Sequence, residues 1–108
     1  MSIKKLINQY QKAFNKHDLI KLEVLFDSKI RLQDWDINIS GKKKVLAANS
    51  KIFKTVKNIK CRPIQTIISG RIAVCEVNVI INKKKINVVD IIKFNQKKKI
   101  TSIKAFKI

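Results

Sequence analysis

The stretch Lys85-Ile86-Asn87-Val88-Val89-Asp90-Ile91-Ile92-Lys93-Phe94 decides how this chain folds. Side chains alternate across an extended strand, so Ile86, Val88, Asp90, Ile92 and Phe94 share one face. Val89 and Ile91, on the opposite face, flank the aspartate as well. The period of two continues on either side. A strand over about 71–81 leads in across Asn82-Lys83, and one over about 98–107 leads out across Asn95 to Lys97. An earlier strand over 57–69 breaks at Ser69-Gly70. Strands in series joined by short turns predict an antiparallel meander.

The first half has a helical period instead. Ser2 is placed to cap a helix over 2–15 whose stripe is Ile3, Leu6, Ile7, Tyr10 and Phe14. After a break at Asn15-Lys16-His17, Asp18 caps a short second helix with Leu19, Leu22, Leu25 and Phe26 inward. Residues 29–35 alternate, with Ile30, Leu32 and Asp34 facing one way and Arg31, Gln33 and Trp35 the other. Asn38-Ile39-Ser40-Gly41 reads as a loop. Ser40 is the expected cap of a third helix over 41–54, with Val45, Ala48, Ile52 and Phe53 on its inner stripe. Helices first and a meander second predict an α+β fold, with helices packed in the concave face of a strongly curved antiparallel sheet.

At 108 residues with 45% hydrophobic and 30% charged, the chain is expected to be one domain, 1–108, with a real core. No apolar run approaches the ~20 residues of a membrane span. The opening MSIKKLINQY lacks the apolar block of a secretion signal, so the expected location is cytoplasmic, away from membranes. Cys61 and Cys75 have no metal-type spacing and are expected as free thiols.

The formal net charge of +18 points at first to nucleic acid. Only Arg31, Arg62 and Arg71 among the 25 basic residues are arginine, however. Arginine is the residue whose planar fork reads phosphates and bases. Lysine accompanies abundant Ile and Asn, and its runs fall at a helix start and in turns. A solvated lysine surface is the expectation and nucleic acid is not the expected partner, with a functional basic patch as the alternative.

Seven carboxylates remain: Asp18, Glu23, Asp27, Asp34, Asp36, Glu76 and Asp90. Helix capping, helix surfaces and loops account for Asp18, Glu23, Asp27 and Asp36. Glu76 is expected in an ion pair on the outer face of the sheet, and His17 on the surface without a partner. Asp90 sits where a charge is costly, so its pKa is expected to rise and the neutral acid to serve as a hydrogen-bond donor. Asp34 follows Ile30 and Leu32 on one face, and Tyr10 lies on an inward helical stripe. These three could converge on one cavity. The alternatives are an edge or paired aspartate for each acid and a core position for Tyr10.

Together these segments resemble a known family. Tyr10-x-x-Ala13-Phe14-Asn15-x-x-Asp18 with Leu25-Phe26, then Arg31-Leu32-Gln33-Asp34-Trp35 and Gly41, and finally Val88 to Phe94 with Ile100 to Phe106, are similar in order and spacing to the NTF2-like superfamily. Within it the chain looks like the SnoaL-like and ketosteroid-isomerase-like branch. The resemblance implies a cone-shaped α+β barrel and a homodimer packed through the outer face of the sheet. It implies Asp34 as general base, with Tyr10 and protonated Asp90 as catalytic donors to an oxyanion. The implied pocket wall is Trp35, Ala48 and Ile52 with Ala73, Cys75, Val77, Ile103 and Ala105, and Lys107 falls near its mouth. That wall is smaller and less aromatic than a steroid suits.

The activity so implied is cofactor-free proton transfer next to a carbonyl, on a small apolar molecule, with no metal. The alternatives are a SnoaL-like polyketide cyclase or a non-catalytic module that binds a small ligand.

Overall fold

The computed structural model describes residues 1–108. Helix α1 spans Ile3–Asn15, with the Ser2 side chain accepting from the Lys5 N–H as its N-cap. Helix α2 spans Leu19–Leu25, capped by Asp18, which accepts from the Lys21 N–H. Strand β1 (Phe26–Gln33) follows directly. The expected loop instead contains a short strand, β2 (Asn38–Ser40), paired antiparallel to β1. Helix α3 spans Lys42–Thr55. Its N-cap is Gly41 rather than Ser40, with no side-chain capping bond. Ser40 is occupied as a β2 residue opposite Arg31. Gly41, at φ 97°, makes the turn into the helix in a conformation other residues rarely adopt.

The second half is the meander: β3 (Lys60–Ser69), β4 (Ile72–Ile81), β5 (Lys84–Phe94) and β6 (Ile100–Lys107). Asn82 and Lys83 both have positive φ and join β4 to β5 in two residues, as a hairpin of matching twist requires. Sheet order is β2-β1-β6-β5-β4-β3, so the curved sheet stays open between β2 and β3. One expectation needs correcting: the sheet is mixed, because β1 runs parallel to β6, with Leu32 opposite Ile103. Strand β3, at the edge, carries Pro63 and a register irregularity between Pro63 and Gln65.

Core side chains come from every layer, including Leu6 and Ile7 of α1, Leu22 of α2, Val45 of α3, and Ile30 and Ile92 of the sheet. Two further residues depart from expectation. Glu76 binds the amides of Gln65 (2.9 Å) and Asn87 (3.2 Å) rather than a cation. His17 stacks on Phe53 with centroids 4.3 Å apart and planes within 6°, so it is partly buried.

The end of α1 is fastened to the edge strand. The Asn15 side-chain oxygen accepts from the Cys61 N–H at 2.7 Å, and its Nδ2 donates to the Cys61 carbonyl at 2.9 Å. Each buried backbone group left without a partner costs about 1–3 kcal/mol. Asn15→Ala is therefore expected to lose about 2–3 kcal/mol of stability. Denaturant titration measures this, and a loss below ~0.5 kcal/mol would remove the fastening role.

Candidate functional site

A hollow of about 170 Å³ lies between α1, α3 and the concave face of the sheet. It occupies the end of that face nearer the β4–β5 turn, where Val79, Ile81 and Ile86 form the wall. Helix α1 contributes Tyr10, Gln11 and Phe14, and α3 contributes Ala48, Asn49 and Ile52. Fifteen of the 19 lining residues are hydrophobic, so a polar group in this wall acts in surroundings poor in water.

Asp90 stands at the inner end. It pairs with Cys75 of β4 and Ala105 of β6, and it lines the hollow. Burial pushes its carboxyl from 3.8 up to about 7. Burial also raises the Tyr10 phenol well above its usual value, and the Asp90 charge raises it further, so the two groups feel each other. Both are partly exposed, and both line the hollow. Near neutral pH the phenol keeps its proton and the acid is close to half protonated. In its protonated form Asp90 joins Tyr10 as a second hydrogen-bond donor on one cavity.

Asp34 lines the same hollow from the β1–β2 turn. Its Oδ1 accepts from the N–H groups of Asp36 and Ile37, each at 2.7 Å, and its own N–H donates to the Ile37 carbonyl. This turn ends the strand alternation at Gln33. Trp35 consequently faces the hollow beside Asp34 rather than the opposite side. At the rim the Lys107 ammonium lies 4.6 Å from the Trp35 ring centroid. That distance is a cation–π contact.

The structure thus brings Tyr10, Asp34 and Asp90 onto one cavity, with Trp35, Ala48, Ile52, Ile103 and Ala105 in its wall. Ala73, Cys75 and Val77 are not in the wall. They are 0% exposed and packed into the core. Strand alternation assigned them the right face, and a face alone does not separate a cavity wall from closed core. Cys61, a wall residue, has its thiol pushed up to about 12, chiefly by burial, and stays protonated. Two amides, Gln11 and Asn49, also line the hollow and were missed. Each lies on an inward apolar stripe, Gln11 four residues after Ile7 and Asn49 four after Val45, and that position was the available signal. No group of three or more His, Cys, Asp or Glu side chains is placed to hold a metal. No helix is long and apolar enough to cross a membrane.

No protein-family model and no curated protein matches the sequence. Solved structures do share the fold. An NTF2-like protein of unknown function from Cytophaga hutchinsonii superposes with a TM-score of 0.87 at 13% identity, covering 100% of this chain and 91% of its own. A candidate SnoaL-like polyketide cyclase from Shewanella denitrificans gives 0.88 at 17% identity, over 98% and 90%. A candidate ketosteroid isomerase from Kribbella flavida gives 0.84 at 13%, over 98% and 77%. The chain therefore has the NTF2-like α+β cone fold, shared with SnoaL-like and ketosteroid-isomerase-like proteins.

The acid at Asp90 ties stability to pH. A carboxyl whose folded pKa lies above its unfolded one favours folding while protonated and opposes it once ionised. Its contribution is full below about pH 4 and is lost as pH rises through about 7. The span from 3.8 to about 7 is worth roughly 4 kcal/mol. Asp90→Asn should gain on the parent chain by up to that amount between about pH 4 and about pH 8. Denaturation at several pH values tests this, and a pH-independent difference would show that Asp90 titrates normally.

Proposed function

We propose that this protein moves a proton next to the carbonyl of a small, apolar, single-ring molecule, without a cofactor. The convergence of Tyr10 and Asp90 as donors on one apolar hollow, with Asp34 on its wall, carries the reading. The carbonyl oxygen sits at Tyr10 and Asp90, where charge develops as the enolate forms. Asp34 uses Oδ2, the oxygen not engaged by the turn, to take the α-proton and return it elsewhere on the enolate. Size supports one ring: a cavity of ~150 Å³ holds benzene, and steroid or polycyclic ligands need far more space.

A second reading, ligand binding without turnover, is favoured by one observation. The two N–H bonds to Asp34 Oδ1 give that residue a structural role sufficient by itself. The two readings separate with 3-cyclohexen-1-one, whose isomerisation to the conjugated ketone is followed by absorbance. The proton leaves the carbon between carbonyl and alkene and returns at the far alkene carbon. Asp34→Asn should remove turnover, and Asp90→Leu should lower it by about 10²–10³-fold. Turnover unchanged in Asp34→Asn sinks the base assignment. Absence of turnover, together with phenol binding that is indifferent to phenol acidity and to Asp90→Leu, leaves the binding reading.

The same proposal includes a homodimer. The outer face of the sheet exposes Ile67 (63%), Val74 (37%) and Phe106 (51%), an apolar area suited to covering by a second copy. Two chains of charge +18 repel, so pairing should strengthen with salt. Sedimentation should show a dimer that Val74→Lys dissociates. A monomer in high salt at tens of micromolar refutes it.

A further inference from the structure

Proton transfer as described leaves two side chains of the hollow idle. Gln11 and Asn49 are the buried polar residues of the chain, 7% and 8% exposed, and both line the cavity. The Asn49 side-chain oxygen is fully buried and has no hydrogen-bond partner. Buried polar atoms in folded proteins are almost always paired, so an orphan of this kind needs a reason. Helix formation does not supply it. Asn49 lies between Val45 and Phe53 on the inward stripe of α3, where a leucine would pack at no polar cost. Asparagine is also a poorer helix former than leucine.

The position of the amide explains what the fold does not. Asn49 is at once a wall residue of the hollow and the carrier of an unpaired acceptor. The terminal torsion of asparagine is broad, so the amide turns at little cost. That turn exchanges the oxygen with the NH2 group, and so sets the oxygen at the hollow to meet an arriving donor. We infer that Asn49 is a ligand-recognition residue: its amide oxygen accepts from a hydroxyl or N–H that the ligand carries in addition to the oxygen seated at Tyr10 and Asp90. The inference rests on the cavity being the ligand site proposed above and narrows the ligand to a ring with two polar ends of opposite character.

The two ends read different chemistry. Tyr10 of α1 and the protonated acid of β5 donate, and so select an acceptor. Asn49 of α3 accepts, and so selects a donor. A ring lacking the donor leaves Asn49 as unpaired in the complex as in the free protein, which is how a buried polar group discriminates between ligands of one shape. The arrangement also accounts for keeping a residue that the free fold would do better without.

Calorimetric titration of the full chain with phenol, catechol, resorcinol and hydroquinone tests this. At least one of the three diphenols should bind about tenfold or more tightly than phenol, about 1.4 kcal/mol. In Asn49→Leu that advantage should shrink to about twofold or less while phenol itself binds as well as before. The thermal midpoint of the free variant should be equal to or above that of the parent chain. Asn49→Ala, which adds no bulk, gives the same ligand comparison should leucine crowd the wall. The inference fails if no diphenol exceeds phenol by more than about threefold, or if the advantage survives both substitutions. Phenol binding that depends on Asp90 but shows no diphenol gain sinks this inference alone. Absence of binding by all four ligands sinks the cavity reading with it.

Discussion

The amide of Asn15 holds the cone closed around its contents. Strand β3 is a sheet edge, and the Asn15 side chain supplies both partners that Cys61 would otherwise seek from a neighbouring strand. Lys60 adds a bond from its ammonium to the Asn15 carbonyl. Asn15 is the last residue of α1, so the far side of the sheet and the helix that carries Tyr10 and Gln11 are joined there. The joint is adjacent to the hollow, since Cys61 also lines its wall.

Within that frame the acids divide by what solvates them. Asp18, Asp27 and Asp34 accept from backbone N–H groups nearby in sequence, and Glu76 from amide side chains across strands. In a chain so rich in lysine, local dipoles rather than ammonium groups satisfy them. Long lysine side chains lose more entropy when pinned than a short turn does, and an exposed ion pair returns little. Asp90 has no such arrangement and adapts by holding its proton more tightly.

Much of this was legible from residue order. The stripes Ile3 to Phe14 and Leu19 to Leu25 marked two helices, although Phe26 begins β1, and the alternation around Asp90 marked the strand and the face whose Ile86, Val88 and Asp90 line the cavity. Ser2 and Asp18 as caps and Asn82-Lys83 as the turn followed from local chemistry. What failed was mostly nonlocal. The parallel joint of β1 to β6 links segments some 70 residues apart, and no local period encodes such a pairing. Strand β2 is three residues long, too short to show alternation. For Ala73, Cys75 and Val77 the face was right and the depth was not, since alternation fixes a side chain's face and says nothing of how closely the other layers pack against it. Gln11 and Asn49 were passed over because the stripes were read by their apolar members, although a polar residue on such a stripe is the informative exception.

One feature of the edge strand bears on behaviour at high concentration. Ile64, Ile67 and Ile68 give β3 the composition of a segment prone to stack into fibrils. Pro63 offers no N–H for a recruited strand, and the irregularity beside it spoils the flat register that growth requires. With Cys61 already occupied by Asn15, the Cys61–Pro63 end of the strand has little left with which to pair with another copy, so recruitment of a neighbouring strand is blocked at that end.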